Sequence, residues 1–274
     1  MRSRLALFSV LSTLCPLMGP KITCFSNSGG KPMLRSTGFR CKYVCMIENI
    51  NNEVFGDFSQ HDRACEKLYD LVIELCQYPS ERENERNYLL AAIRRTLSLS
   101  KAFRQAVESQ NGQMASTLVR LNLDTLARTY ALYWADETEG MSAETLSKAV
   151  SSGNSIRDMK LRGSKEKATD NWLIRQISGL GEWIKIVYDK TSGAIHFSDF
   201  HINQLLQQAS PVEELEDGSL IARFIIGPGE KDADPELYRE IMQAFLHISM
   251  MLVCAIEHRV AAATGSPPSE PTPL

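Results

Sequence analysis

Proline is absent from residues 80 to 210, a run of 131 residues between Pro79 and Pro211. Proline breaks helix interiors, so a gap of that length leaves room for several long helices. Apolar spacing shows helical periodicity before Pro79 and through the gap. Ala64, Cys65, Leu68, Leu71, Val72 and Leu75 recur at three and four residues and predict a helix over 61–76. Leu89, Leu90, Ile93, Leu97, Phe103 and Val107 predict a second over 83–108, closed by Asn111 and Gly112. A third, over 113–134, is apolar around most of its circumference and should be the most buried. Ser142 is a good N-cap for a short helix, Asp170 can cap another over 171–178, and a further helix runs over 182–197.

The pattern changes near Pro211. Residues 212–216, then Asp217 and Gly218, then 219–226 read as a β-hairpin whose Asp-Gly pair makes the turn. Pro235 opens a last helix to about residue 262. Its stretch 241–256 is very apolar but short for a membrane span, and Gln243 and His247 interrupt it, which reads as a core helix. The expected fold is therefore all-α in the main: a bundle of about six or seven helices with one hairpin before the C-terminal helix. Residues 46–263 form the single domain, and the Pro/Ser-rich 264–274 form a disordered tail.

Residues 1–45 differ in kind. They carry seven basic residues and no acidic one, leaving 23 basic and 33 acidic residues, a net of −10, for 46–274. Arg2 and Arg4 followed by the apolar 5–18 imitate a secretory signal, but no small-x-small cleavage site follows. The expectation is a disordered or over-extended arm ahead of Met46 and a cytoplasmic protein, with export as the alternative if the signal is genuine. Four of the seven cysteines (Cys15, Cys24, Cys41, Cys45) lie in this arm without CxxC spacing or a nearby histidine, so no metal site is expected. Cys65, Cys76 and Cys254 read as small buried hydrophobes in a reducing compartment. The acidic body disfavours a general nucleic-acid binder. The one segment suited to phosphate is 153–168, with Arg157, Lys160, Arg162, Lys165 and Lys167, and it reads first as a solvated connector.

Two polar stripes carry the candidate site. Arg120, Asp124 and Arg128 lie at i, i+4 and i+8 on the third helix, a spacing that suits either an Arg-carboxylate-Arg clamp for an anion or an ordinary ion-pair ladder. Asn122, on the apolar side of that helix, must find buried hydrogen-bond partners. Tyr188, Ser192 and His196 repeat the same spacing on the 182–197 helix, with Ser198 and His201 just beyond. A histidine there suits proton transfer or anion binding, and equally suits a capping or cross-linking role. No GxSxG elbow accompanies Ser192, which argues against a serine hydrolase. His196 and His201 are five residues apart and share no helical face, so no metal and no cofactor is expected.

The segment from Arg120 to His201 is similar to a family of bacterial helical proteins classed as domains of unknown function. The likeness is carried by the Arg120/Asp124 pair, by the loop from Ser155 through Arg157, Asp158, Lys160 and Arg162 to Gly163, by Thr169 and Asp170, and by Tyr188, Ser192, His196 and Ser198. That resemblance implies a helical fold, a bacterial cytosolic setting and no defined activity. A weaker one is to HEPN domains, helical bundles that include RNA-cleaving toxins. The RNases among them place an arginine four to six residues before a histidine, where this chain has Lys190 and His196. The leading functional expectation is a non-catalytic interaction or structural module linked to defence or stress, with homo-oligomerisation open and no membrane role. The alternatives are a HEPN-like RNase or nucleotide-binding protein using His196 with Arg120, and a hydrolase or transferase centred on His196. Both alternatives need the third helix to pack on the 182–197 helix.

Overall fold

The computed structural model describes residues 57–214, 220–227, 229–230 and 233–265, together with two short strands nearer the N-terminus. Eight α-helices make up most of it: α1 Ser59–Leu75, α2 Glu83–Glu108, α3 Gly112–Asp136, α4 Ala143–Ser151, α5 Asp170–Ile177, α6 Trp183–Ile195, α7 Asp199–Gln207 and α8 Pro235–Thr264. The mainly helical class expected from proline distribution and periodicity holds. The extra helix arises because the 182–197 segment stops at Ile195 and a separate helix starts at Asp199.

α3 is the hub, packing on α2, α4, α5, α6 and α8. It buries residues on nearly every side, among them Leu118, Leu123, Leu126, Leu132 and Trp134. Its start is set by Asn111, whose side chain accepts from the Met114 N–H at 3.0 Å. Asn111 thus caps α3 and does not merely close α2. Asn122 is satisfied inside the core: it accepts from Thr96 Oγ1 at 3.3 Å and donates to Ser249 Oγ at 2.9 Å, stitching α2, α3 and α8. α5 docks by the edge-on contact of Trp172 with Trp134, ring centroids 5.4 Å apart. Its cap is Thr169, which accepts from the Trp172 N–H, and not Asp170, which is the first helical residue and ion-pairs with Arg128. α8 is long and apolar enough to cross a membrane by composition, yet Ile241, Phe245, Ile248, Leu252 and Ile256 are buried in the bundle core.

Strands are peripheral. β1 Ile22–Cys24, β2 Phe39–Val44, β3 Ser210–Glu214 and β4 Leu220–Ile225 stand in the order β1-β2-β4-β3, with β1, β2 and β4 parallel and β3 antiparallel to β4. The hairpin expected over 212–226 is not supported as a unit of the fold. Residues 215–219, where its Asp-Gly turn would lie, fall outside the described residues, and the β3–β4 register is shifted between Pro211 and Glu213. The expectations for the remainder of 1–45 and for the tail from residue 266 likewise fall outside them.

The cysteine reading needs correction. Cys76 and Cys254 are exposed, and Cys65 is half-buried with its Sγ 3.3 Å from Ser100 Oγ. Cys76 sits just past the end of α1, and Cys254 occupies an outer position of α8. Apolar neighbours in sequence do not fix which way a helical residue faces.

A charged cluster crosses the far end of the core. Glu85 is fully buried and ion-paired to Arg259, which also bonds Asp136 Oδ2 at 2.8 Å. Tyr78 donates to Glu85 Oε1 at 2.9 Å, and Arg82 Nε lies 2.8 Å from Oε2. The Arg259 guanidinium also covers the Tyr133 ring at 4.9 Å. Burial alone would lower the Arg259 pKa, but Glu85 and Asp136 more than offset it and hold the charge in place. Removing one partner strands the other in a dry site. Glu85→Gln is expected to cost about 3–5 kcal/mol in urea unfolding, and Glu85→Gln combined with Arg259→Met less than the sum of the two single changes.

His61 makes a second buried polar point. Its Nε2–H donates to the Met242 carbonyl at 3.1 Å, Nδ1 has no partner, and Phe58, Phe103 and Phe245 surround the ring. Burial lowers its pKa below 6.5, opposed by the bond to Met242. The unfolded chain therefore takes up a proton that the folded chain resists. The stability contributed by neutral His61 is complete above pH 6.5 and declines as pH falls below it. His61→Phe should flatten that part of the stability–pH profile measured by chemical denaturation. An unchanged slope between pH 6.5 and 5 would refute the assignment.

Candidate functional site

α3 and α6 pack together as the two-stripe pattern requires. The Thr117 hydroxyl lies 2.9 Å from Gln113 O and 3.1 Å from Ala194 O, which pins the C-terminal end of α6 to the N-terminal half of α3. Further along, the Arg120 guanidinium lies over the Tyr188 ring, 4.3 Å from its centroid. Tyr188 and Arg120 are thus the one pair of site candidates that meet across the two helices.

The remaining candidates are placed differently. Arg128 Nε bonds both Asp124 oxygens, at 2.9 and 3.0 Å, and its Nη2 reaches Asp170 at 2.7 Å. Of the two readings the spacing allowed, the ion pair is the one observed: Arg128 is neutralised by two carboxylates, with Arg120 left out. Burial lowers the Arg128 pKa, and Asp124 and Asp170 raise it further than burial lowers it. The Ser192 hydroxyl donates back to the Tyr188 carbonyl at 2.6 Å, as mid-helix serines do when no tertiary partner competes. Asp189, on the same side, is engaged by Lys185.

His196 lies outside the helix. It is the residue after α6, in an extended conformation and exposed, so the i, i+4, i+8 stripe ends at Ser192. Among the described residues no hydrogen bond or ion pair joins His196 to Ser192 or to Arg120. The break has a local cause. Ser198 caps α7, accepting from the Phe200 N–H at 3.3 Å and donating to Gly193 O at 3.0 Å. His201 Nδ1 accepts from the Ser198 N–H at 3.3 Å and completes a capping box. A Cβ on Gly193 would come within 2.8 Å of the Phe200 Cβ, so only glycine lets α7 fold back this closely. Ser198 and His201 are therefore helix-start residues of α7. Lys190, the counterpart of the HEPN arginine, lies near Glu240 of α8, and burial lowers its pKa while Glu240 opposes the shift.

The basic loop 153–168 is anchored and not a loose connector. Ile156, Leu161 and Ala168 are buried, and the Ala168 N–H donates to Met159 O at 2.8 Å. Arg162 pairs with Glu137 and Lys167 with Asp158. No group of three or more potential metal ligands is present among the described residues.

One exposed apolar surface was missed from the sequence. α7 buries none of its residues. Ile202, Leu205 and Leu206 are exposed on it, and Ile195 and Phe197 are exposed just before it, Phe197 at 87%. Its signal is a helix-start residue (Ser198) inside what looks like one long helix, followed by an apolar set with only Asp199 charged. Comparison with known protein families, with characterised proteins and with solved structures finds no match for this chain.

Because His196 is exposed and unbonded to the core, His196→Ala is expected to shift unfolding free energy by no more than about 0.5 kcal/mol. Ser198→Ala, which removes the α7 cap, should cost about 1 kcal/mol. Urea denaturation of both variants checks the order. A larger loss from His196→Ala would show that it cross-links helices.

Proposed function

We propose that the chain is a non-catalytic helical interaction module that docks through the exposed α6–α7 end, and that its partner there is a second copy of itself. The observation that carries the reading is α7: a nine-residue helix with no buried residue, flanked by Ile195 and Phe197 and displaying Ile202, Leu205 and Leu206. Contiguous exposed apolar surface of this kind marks interaction sites in soluble proteins. Charge depletion with an aromatic anchor is the composition of an interface centre.

Electrostatics favour a second copy. Residues 46–274 carry a net charge of −10, so two such bodies repel over most of their surface. A face with a single acidic residue is where two copies can approach without that cost. A twofold contact would also bury each Phe197 against the partner's apolar row, as a self-complementary interface requires. RNase, hydrolase or transferase chemistry at His196 needs Arg120 or Ser192 beside it, and neither bonds it, so the interaction reading is the better supported.

Sedimentation velocity over a hundredfold concentration range tests the proposal. Self-association with a concentration-dependent sedimentation coefficient is expected for the full chain, and a monomer with unchanged helical circular dichroism for Phe197→Asp combined with Leu206→Asp. A wild-type chain that stays monomeric throughout, or a double variant that still associates, overturns it.

A further inference from the structure

We infer that Arg120, held against Tyr188 between α3 and α6, is the receptor for a single oxyanion group, a carboxylate or a phosphate, presented by a small ligand. The inference stands apart from the docking reading. Arg120 is only 6% exposed, and its Nε is buried with no hydrogen-bond partner. No acidic side chain among the described residues pairs with it. Its neighbour one turn on, Asp124, is spent on Arg128, and Lys190 of α6 is set against Glu240. Its guanidinium lies over the Tyr188 ring, 4.3 Å from the centroid.

A guanidinium taken out of water loses several kcal/mol of hydration, which a pairing anion must return. Stacking on an aromatic face returns about 0.5–2 kcal/mol and uses only the flat face of the cation. The five N–H donors of a guanidinium radiate in its plane. A guanidinium lying over a ring keeps its in-plane donors available, and here the Nε–H is buried without a partner. Other buried cations of this fold are supplied: Arg259 has Glu85 and Asp136, and half-buried Arg128 has Asp124 and Asp170. Arg120 alone among these three lacks a carboxylate partner among the described residues and has a buried, unpaired Nε. A carboxylate or phosphate oxygen pair reaching the edge of the fork satisfies that donor in bidentate geometry.

The direct readout is the Arg120 Nε–H resonance in a nitrogen–proton correlation spectrum of the full chain, assigned by its loss in Arg120→Lys. Inorganic phosphate and acetate are titrated separately at constant ionic strength, with chloride as the control salt. A saturable shift of the Arg120 signal with either anion, and a rise in Tm of about 5 °C at a hundredfold excess over Kd, is the expected result. Saturation by phosphate alone identifies a phosphoryl ligand, and saturation by acetate alone a carboxylate. Arg120→Lys keeps the charge and loses the fork, so its Tm response should fall to that of chloride. Tyr188→Phe keeps the ring and should bind as wild type, while Tyr188→Leu should weaken binding by about tenfold, the factor one stacked cation supplies. An Arg120 signal that neither anion moves, or a Tm response equal in wild type and Arg120→Lys, overturns the inference.

Discussion

The fold depends on a charge that has no way out. Glu85 is fully enclosed where α2 begins, and the cation that answers it, Arg259, comes from near the end of α8, 174 residues later. Because neither ion can reach water, the two helices have one relative position in which both are satisfied, and Asp136 at the end of α3 is drawn into the same arrangement. The next layer follows from it. Asp136 Oδ1 accepts the Ala143 N–H at the start of α4, and Glu144 of α4 accepts the Asn84 and Glu85 N–H groups at the start of α2. Four helix ends are thus fixed by one chain of carboxylates and donors. Such networks stabilise little in net terms but penalise every alternative packing heavily.

The α6–α7 end has no comparable buried ion pair among the described residues. There α6 stops, three extended or capping residues intervene, and α7 folds back against it through Gly193 and Ser198. The hydrogen bonds are local, and although β4 touches α7, Ile202, Leu205 and Leu206 stay exposed. One end of the bundle is therefore specified by buried ions, and the α6–α7 end exposes apolar residues. Arg120 lies between them, at the α3–α6 contact, oriented by an aromatic ring and not by an ion pair.

Much of the framework was legible from residues alone. The three-and-four spacing located α1, α2 and α3, and Pro235 the start of α8, within a few residues of their observed bounds, because helix formation is governed by local backbone sterics and by one-sided burial. Ser142 announced α4 for the same reason. The packing of α3 on α6, which the paired stripes of the two helices called for, is observed. His196 was misplaced because periodicity at i+8 continues on paper across a helix end. The capping box that ends it is written two residues further on, in Ser198 and His201, and competes with helix continuation only once α7 has a surface to fold back on.

Helical class, helix positions and the need of Asn122 for buried partners were thus determined by the sequence itself, since each rests on interactions within a few residues or on a single amphipathic pattern. Which charges pair was decided only by the tertiary structure. Arg128 chose Asp124 and Asp170 over sharing with Arg120, and Glu85 chose Arg259, from partners one turn to 174 residues away. Sequence spacing ranks helical neighbours, but a buried charge selects its partner by dehydration and direction. Those are set only when separate helices are brought into contact.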